Sequence, residues 1–197
     1  MTTEEMIRLR ETRLAPYIQL ATALIGKTRL GGGNMFRHQL DTMAVLVDYG
    51  YIDSPLLKAS IVHDILEDIP DFNHNLLISI DYESHLVYEL VLEVTRNPGE
   101  TKEVFLTRIF QTGSRNAKIL KVADRISNMI TLGFVNNMEF VKRYTDETER
   151  YVYPIAEMVN ESMLKELHAL VESRRKYASD FAKIQAEEVY IDSSNFL

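Results

Sequence analysis

His63, Asp64, Glu67 and Asp68 crowd into one short stretch, KASIVHDILED. On a helix they fall within an arc of roughly 140°, with Ile61, Ile65 and Leu66 on the opposite side. Asp64 is spaced i,i+3 from Glu67 and i,i+4 from Asp68, and like charges so placed repel by roughly 0.2 to 0.5 kcal/mol per pair. The cluster itself contains no Lys or Arg. One reading is a solvated polar face. The other is a bound cation, which reverses the sign of the repulsion. A neutral imidazole beside anionic oxygens suits Mn, Fe, Co or Ni better than Ca.

Two other segments carry residues that could complete such a site. His38 stands at the start of a second helix, and Asp124 lies within KILKVADRISNM. On that latter helix Asp124, Asn128 and Thr131 lie within about 60° of one another. Ile119, Val122, Ile126 and Ile130 form the opposing apolar stripe. Spacing alone does not join His38, His63, Asp64 and Asp124, because only a fold can bring three separate segments together.

The elements available to do this are all helical. Thr2 and Glu5 can form a capping box, and apolar spacing from Met6 through Ile25 predicts a first helix that stops at Gly26. After the glycines Gly31 to Gly33, a second helix runs from about Arg37 to Tyr49 and ends at Gly50. Asp53 or Ser54 as N-cap, with Pro55 at the first helical position, opens the third helix, which carries His63 and Asp64. Further helices are expected over Glu83–Arg96, Thr101–Gln111, Ser114–Leu132, Met138–Val159 and Met163–Ile184. No alternating strand pattern and no internal repeat is visible. The expected architecture is a single all-α bundle over residues 1–184, with 185–197 as a loosely held tail.

Composition limits the function classes. A chain of 197 residues, 46% hydrophobic, can bury a sizeable core in one domain. It has no cysteine, so disulfides and thiolate ligands are excluded and a metal must be held by His, Asp, Glu or carbonyl oxygen. The net charge of -7 argues against broad nucleic-acid binding. Neither a membrane-length apolar run nor a signal peptide is visible, which gives a cytoplasmic expectation. Gly31 to Gly33 read as a flexible turn rather than a phosphate cradle, since no GK[ST] follows. His74, His85 and His168 read as surface or capping residues.

The order His38, then His63-Asp64, then Asp124 is similar to the H…HD…D pattern of the HD superfamily of metal-dependent phosphohydrolases. HDILED resembles the HDxxED box of RelA/SpoT hydrolase domains, KVADRISNMITL resembles their ADRLxNMRTL segment, and ETERYVYPIAEM resembles their ETLxIYxPIAxRL segment. Arg29 fits the arginine nine residues before the first metal histidine. EVTRN followed by AKILKVAD is similar to the arrangement in stand-alone SpoT-like small hydrolases. The likeness covers about Lys27 to Met158 and implies an all-α HD-domain helical bundle.

It also implies roles. His38, His63, Asp64 and Asp124 would be metal ligands, and the usual ion is Mn2+. Glu67 and Asp68 would be the catalytic pair that positions and deprotonates the attacking water. Arg29 would flank the guanine, while Asn128 and Thr131 would contact sugar and phosphates. Lys27, Lys121, Arg125 and Lys142 are candidate phosphate partners or simply exposed charges. The implied reaction removes pyrophosphate from the ribose 3′ oxygen of ppGpp or pppGpp, leaving GDP or GTP. The chain leaves no room for a synthetase domain, so only the degrading activity is expected.

Departures from the pattern leave base selectivity open. The usual RxSGEPYxxH reads RLGGGNMFRH, and Ile69 stands where Thr is usual after the acidic pair. Two alternatives stay open: another HD phosphohydrolase activity, on a nucleotide or NADPH phosphate, and a non-catalytic alarmone-binding protein. Intact Glu67 and Asp68 argue against the second.

Overall fold

A computed structural model describes the backbone of residues 2–194 and the side chains of 2–181, 183 and 184. Thr2 forms the expected capping box with Glu5 and opens α1 (Thr3–Glu11). The first expected helix is not continuous, however. It breaks at residues 12–14 and resumes as α2 (Ala15–Ala21), followed by a 3-10 turn, Thr22–Leu24. Pro16, near the start of α2, explains the break. The residue before a proline avoids helical dihedrals, and proline itself has no N–H to continue the ladder.

α3 (Met35–Asp48) starts two residues earlier than its apolar pattern suggests, because the Asn34 side chain accepts from Arg37 N at 2.9 Å and caps it. Asp53 caps α4 (Ser54–Val62). The third expected helix then breaks at His63 and Asp64 and restarts as the single turn α5 (Ile65–Asp68). α6 (Asn75–Ile78) is a short turn that the sequence reading did not include. α7 (Ser84–Val94), α8 (Lys102–Thr112) and α9 (Arg115–Thr131) match expectation, with Thr101 and Ser114 capping the last two.

A 3-10 turn, Leu132–Phe134, leads to α10 (Met138–Glu147). The expected unbroken helix over Met138–Val159 instead widens into a π turn at Thr148–Val152 before α11 (Tyr153–Val159). Pro154 has no N–H to donate back four residues, and the wider turn accommodates that loss. α12 (Glu161–Ser194) runs past the expected end at 184. The rest of the expected tail, residues 195–197, lies outside the described residues. Among the described residues no strand forms, only an isolated bridge between Thr28 and Asn34.

α9 is the central helix and packs against α3, α4, α7, α11 and α12. Ile119, Val122 and Ile126 are fully buried, as the stripe predicts, but Ile130 is 45% exposed. At its C-terminal end the buried face has shifted to Met129 and Leu132, which are 0% and 3% exposed, so Ile130 falls outside it. α4 is held from behind by a buried ion cluster. Lys58 Nζ lies 2.7 Å from Asp81 and 2.5 Å from Glu83, and Tyr17 donates to Asp81 at 3.0 Å. This cluster ties α2 and the turn before α7 to the helix that ends at His63.

Candidate metal centre and the adjoining pocket

Three segments meet where α3, the α4–α5 break and α9 pack together. His38 Nε2 lies 3.0 Å from Asp124 Oδ1 and 3.6 Å from Asp64 Oδ2. His63 Nε2 lies 3.3 Å from Asp64 Oδ2 and 3.8 Å from Asp124 Oδ1. His38, His63 and Asp124 are buried, and their ligand atoms all lie within 4.8 Å of one another. These three residues could hold a metal ion, and the nearby Asp64 Oδ2 would offer a fourth ligand atom.

Outer contacts aim each ligand. His63 Nδ1 donates to Ser60 O at 2.8 Å, which turns Nε2 into the site. That Nε2 is buried without a hydrogen-bond partner. His38 Nδ1 is 3.0 Å from Ser127 Oγ, so its Nε2 also faces inward. Asn128 Nδ2 donates to Asp124 Oδ1 at 2.5 Å, and Lys121 Nζ to Asp124 Oδ2 at 2.6 Å. Gln39 Nε2 donates to Asp64 Oδ2 at 2.9 Å. An orphaned, buried imidazole nitrogen facing two carboxylates fits a divalent cation of the transition series.

The electrostatics agree. Burial pushes the His63 imidazole down, but Asp64 and Asp124 more than reverse this and raise it to about 9. Burial pushes the Asp124 carboxyl up, yet Lys121 and the two imidazoles hold it well below the usual carboxylate range. The site thus attracts a cation, and a divalent ion would take the place of the imidazole proton.

The proposed substrate residues also come together. Arg29 Nη2 donates to Asn128 Oδ1 at 2.6 Å and to Thr131 Oγ1 at 3.3 Å. Arg29 reaches them from a loop closed at its base, where Met35 N donates to Lys27 O at 2.9 Å. The loop lies directly on α9, and a Cβ at Gly31 would sit 2.7 Å from Thr131 O. Gly32 and Gly33, at φ of 87° and 72°, turn the chain back. Arg29, Asn128, Thr131, Phe140 and Tyr144 line a cavity of about 230 Å³. Asn128 joins this cavity to the metal centre.

Glu67 and Asp68 are held by partners of their own. The single helix expected to carry all four residues of HDILED is broken at His63 and Asp64, which changes the register of Glu67. The amide of Asp68 still donates to Asp64 O, at 2.9 Å, but that of Glu67 also turns to Asp64 O, at 3.1 Å, rather than to His63. Glu67 is exposed, and its Oε1 accepts from Arg96 N at 2.7 Å. Asp68 pairs with Lys27. Of the other basic candidates, Arg125 is buried against Glu147 and Thr148, and Lys142 is exposed on the outer side of α10. His74 contacts Tyr88, and His85 and His168 are exposed.

The loop that holds Glu67 is itself clamped. Arg108 donates to Glu93 O at 3.0 Å, to Thr95 O at 2.9 Å and to both Glu100 carboxylate oxygens. Hydrogen bonding to Arg108, opposed by burial and aided by the Asn97 amide, lowers the Glu100 carboxyl from 4.5 to about 2. A depressed carboxyl contributes stability above its unfolded value and loses it as pH falls toward the folded one. Glu100→Gln should therefore flatten the acid limb of stability between pH about 4.5 and about 2, read as melting temperature against pH.

Sequence reasoning missed Gln39, Ser60, Ser127, Phe140 and Tyr144. Ser127 was within reach, since it stands i+3 from Asp124 on the face already singled out. The aromatic pair was also legible as an i,i+4 couple, and its rings stack with centroids 5.6 Å apart.

No family model matches the chain. Two curated proteins are similar to it, each described as a probable guanosine-3′,5′-bis(diphosphate) 3′-pyrophosphohydrolase. The one from Mycoplasma genitalium is 26% identical over 184 residues, covering 84% of this chain and 25% of that protein. The one from Mycoplasma pneumoniae is 27% identical over 184 residues, covering 84% of this chain and 24% of that protein. The chain thus spans about a quarter of the length of the curated relatives it matches. A solved structure described as a metazoan ortholog of SpoT that hydrolyzes ppGpp superposes with a TM-score of 0.70 at 20% identity, covering 82% of this chain and 94% of that one. The expected all-α bundle is the architecture observed, and its fold is shared with that solved structure.

Proposed function

We propose that this chain is a metal-dependent phosphohydrolase that removes the 3′-pyrophosphate of guanosine alarmones, converting ppGpp or pppGpp to GDP or GTP. The observation that carries this reading is the convergence of His38, His63, Asp64 and Asp124, with the His63 Nε2 orphaned, beside a cavity lined by Arg29, Asn128 and Thr131, to which Asn128 links them through Asp124. The names of the similar proteins support the substrate class. We take Mn2+ as the ion, residues 1–184 as the working unit and the cytoplasm as its location. No helix among the described residues is long and apolar enough to cross a membrane.

His38, His63, Asp64 and Asp124 would hold the ion. When bound, it neutralises phosphate charge and acidifies water. The chain's own residues do the rest. Arg29, fixed to Asn128 and Thr131, offers a planar cation against the base, and Phe140 and Tyr144 supply apolar wall. Arg96 N fixes one Glu67 oxygen, which leaves the other to take a proton from the attacking water. The water oxygen bonds to the phosphorus next to the ribose as the bond from that phosphorus to the 3′ oxygen breaks. Glu67 takes the water proton, a proton is returned to the departing 3′ oxygen, and pyrophosphate and the 3′-hydroxyl nucleotide are released.

The test is incubation with ppGpp and Mn2+, reading GDP and pyrophosphate, with GMP and NADPH as parallel substrates. Consumption of NADPH or GMP with ppGpp untouched sinks the alarmone reading and keeps the phosphohydrolase. Binding of ppGpp without turnover leaves only a binding protein. Arg29→Ala and Asn128→Ala should each weaken ppGpp affinity by about tenfold or more, the loss of roughly one charge-assisted contact. Nucleotide titration with metal content measured alongside checks this, and unchanged affinity in both removes them from the pocket.

A further inference from the structure

Gln39 follows His38 on α3 and is completely buried. Its Nε2 donates to Asp64 Oδ2 at 2.9 Å, while its Oε1 is buried with no partner. The orientation of the amide is fixed by chemistry. A carboxylate only accepts, so the opposite flip would face two acceptors with no proton between them. The fold therefore keeps an unsatisfied carbonyl in its core in order to hold an N–H against Asp64. A residue present only for packing would carry no such cost, since an apolar side chain of similar shape would fill the space without it.

Asp64 needs that donor. It sits in the break between α4 and α5 at φ −94° and ψ 0°, whereas His38 and Asp124 stand within helices and His63, the residue that ends α4, keeps helical dihedrals of −61° and −30°. Its side chain is 22% exposed, whereas those of His38, His63 and Asp124 are 1%, 3% and 7% exposed. His38 is fixed by Ser127, His63 by Ser60, and Asp124 by Asn128 and Lys121. For Asp64, Gln39 is the side chain that supplies the corresponding contact.

We propose that Gln39 is a positioning residue for the metal centre, orienting the Asp64 carboxylate toward the ion through its side-chain N–H. The inference rests on the metal reading above. Loss of such an outer contact typically weakens metal affinity 10- to 100-fold. Gln39→Met keeps the volume and removes both the donor and the orphaned carbonyl. Metal-free Gln39→Met should melt at or above the parent, while its Mn2+ affinity falls by about 10- to 100-fold.

Calorimetric titration of the metal-stripped proteins with Mn2+, well below melting, is the measurement. Val45→Ala, a core truncation on the same helix away from Asp64, is the control and should keep parental affinity. Gln39→Met binding Mn2+ as tightly as the parent overturns the proposal. So does an equal loss of affinity in Val45→Ala, which would make the effect a general loosening of α3. A parent protein that takes up no Mn2+ overturns the metal reading and this inference with it. A parent that binds beside an equally tight variant overturns this inference alone.

Discussion

Asp124→Asn is expected to lose Mn2+ binding by more than about a hundredfold and to lose turnover with it, since replacing even an outer partner of a metal ligand costs 10- to 100-fold. Asp124 is where the site is tied together. One oxygen faces both imidazoles and the Asn128 amide, and the other holds Lys121. Asn keeps the shape and removes the charge that holds a cation. Alanine would be the poorer choice. It would leave the part-buried Lys121 ammonium without the oxygen acceptor that Asn still offers, and a hydrogen bond to a charged group is typically worth about 1.5 to 3 kcal/mol. His63→Ala should lose metal as well, because it removes the orphaned nitrogen. Metal content of the purified variants, with circular dichroism as the check on folding, decides the matter. Full content and full activity in both variants would reduce the four residues to a polar cluster.

Glu67→Gln separates catalysis from metal holding. An amide oxygen can still accept from Arg96 N, so the loop contact is preserved while the free oxygen becomes an NH2 that takes no proton. General-base assistance contributes about 10²- to 10⁴-fold, so turnover should fall by at least about a hundredfold with metal content and ppGpp affinity near parental. Asp68→Asn should act similarly, and it also frees Lys27. Parental turnover in both variants would make Glu67 an anchor for residues 95–97 and Asp68 a partner for Lys27, and the mechanism would fail.

Local chemistry was legible in the sequence because its causes are local. Thr2 read as a cap, as did Asp53 or Ser54, while Thr101 and Ser114 read only as the starts of their helices; Thr2, Asp53, Thr101 and Ser114 each accept a backbone N–H as N-caps. The face of α9 that carries Asp124 and Asn128 followed from periodicity. Grouping the four metal residues needed resemblance, since periodicity says nothing about how α3, α4 and α9 cross. The broken helices were missed at Pro16 and Pro154, where apolar spacing persists through a backbone that cannot. The like-charge strain assigned to the acidic cluster was overstated. Lys27 reaches Asp68 from another loop and Gln39 reaches Asp64 from another helix. Neither partner is near the cluster in sequence.

The contact between His38 and Asp124 closes a sequence separation of 86 residues. A centre assembled from such distant segments does not exist in the unfolded chain, because closing long loops costs entropy that only the packed core repays. An ion held there would therefore recognise the finished fold and no part of it. A ligand that binds only the native state stabilises it by mass action, by about 2.7 kcal/mol at a free concentration a hundredfold above Kd. For a chain of this size that amounts to roughly 5 to 11 °C in melting temperature. Cellular supply of the ion would then set how long the protein persists as well as how fast it works, since a metal-starved chain visits its open, protease-sensitive states more often.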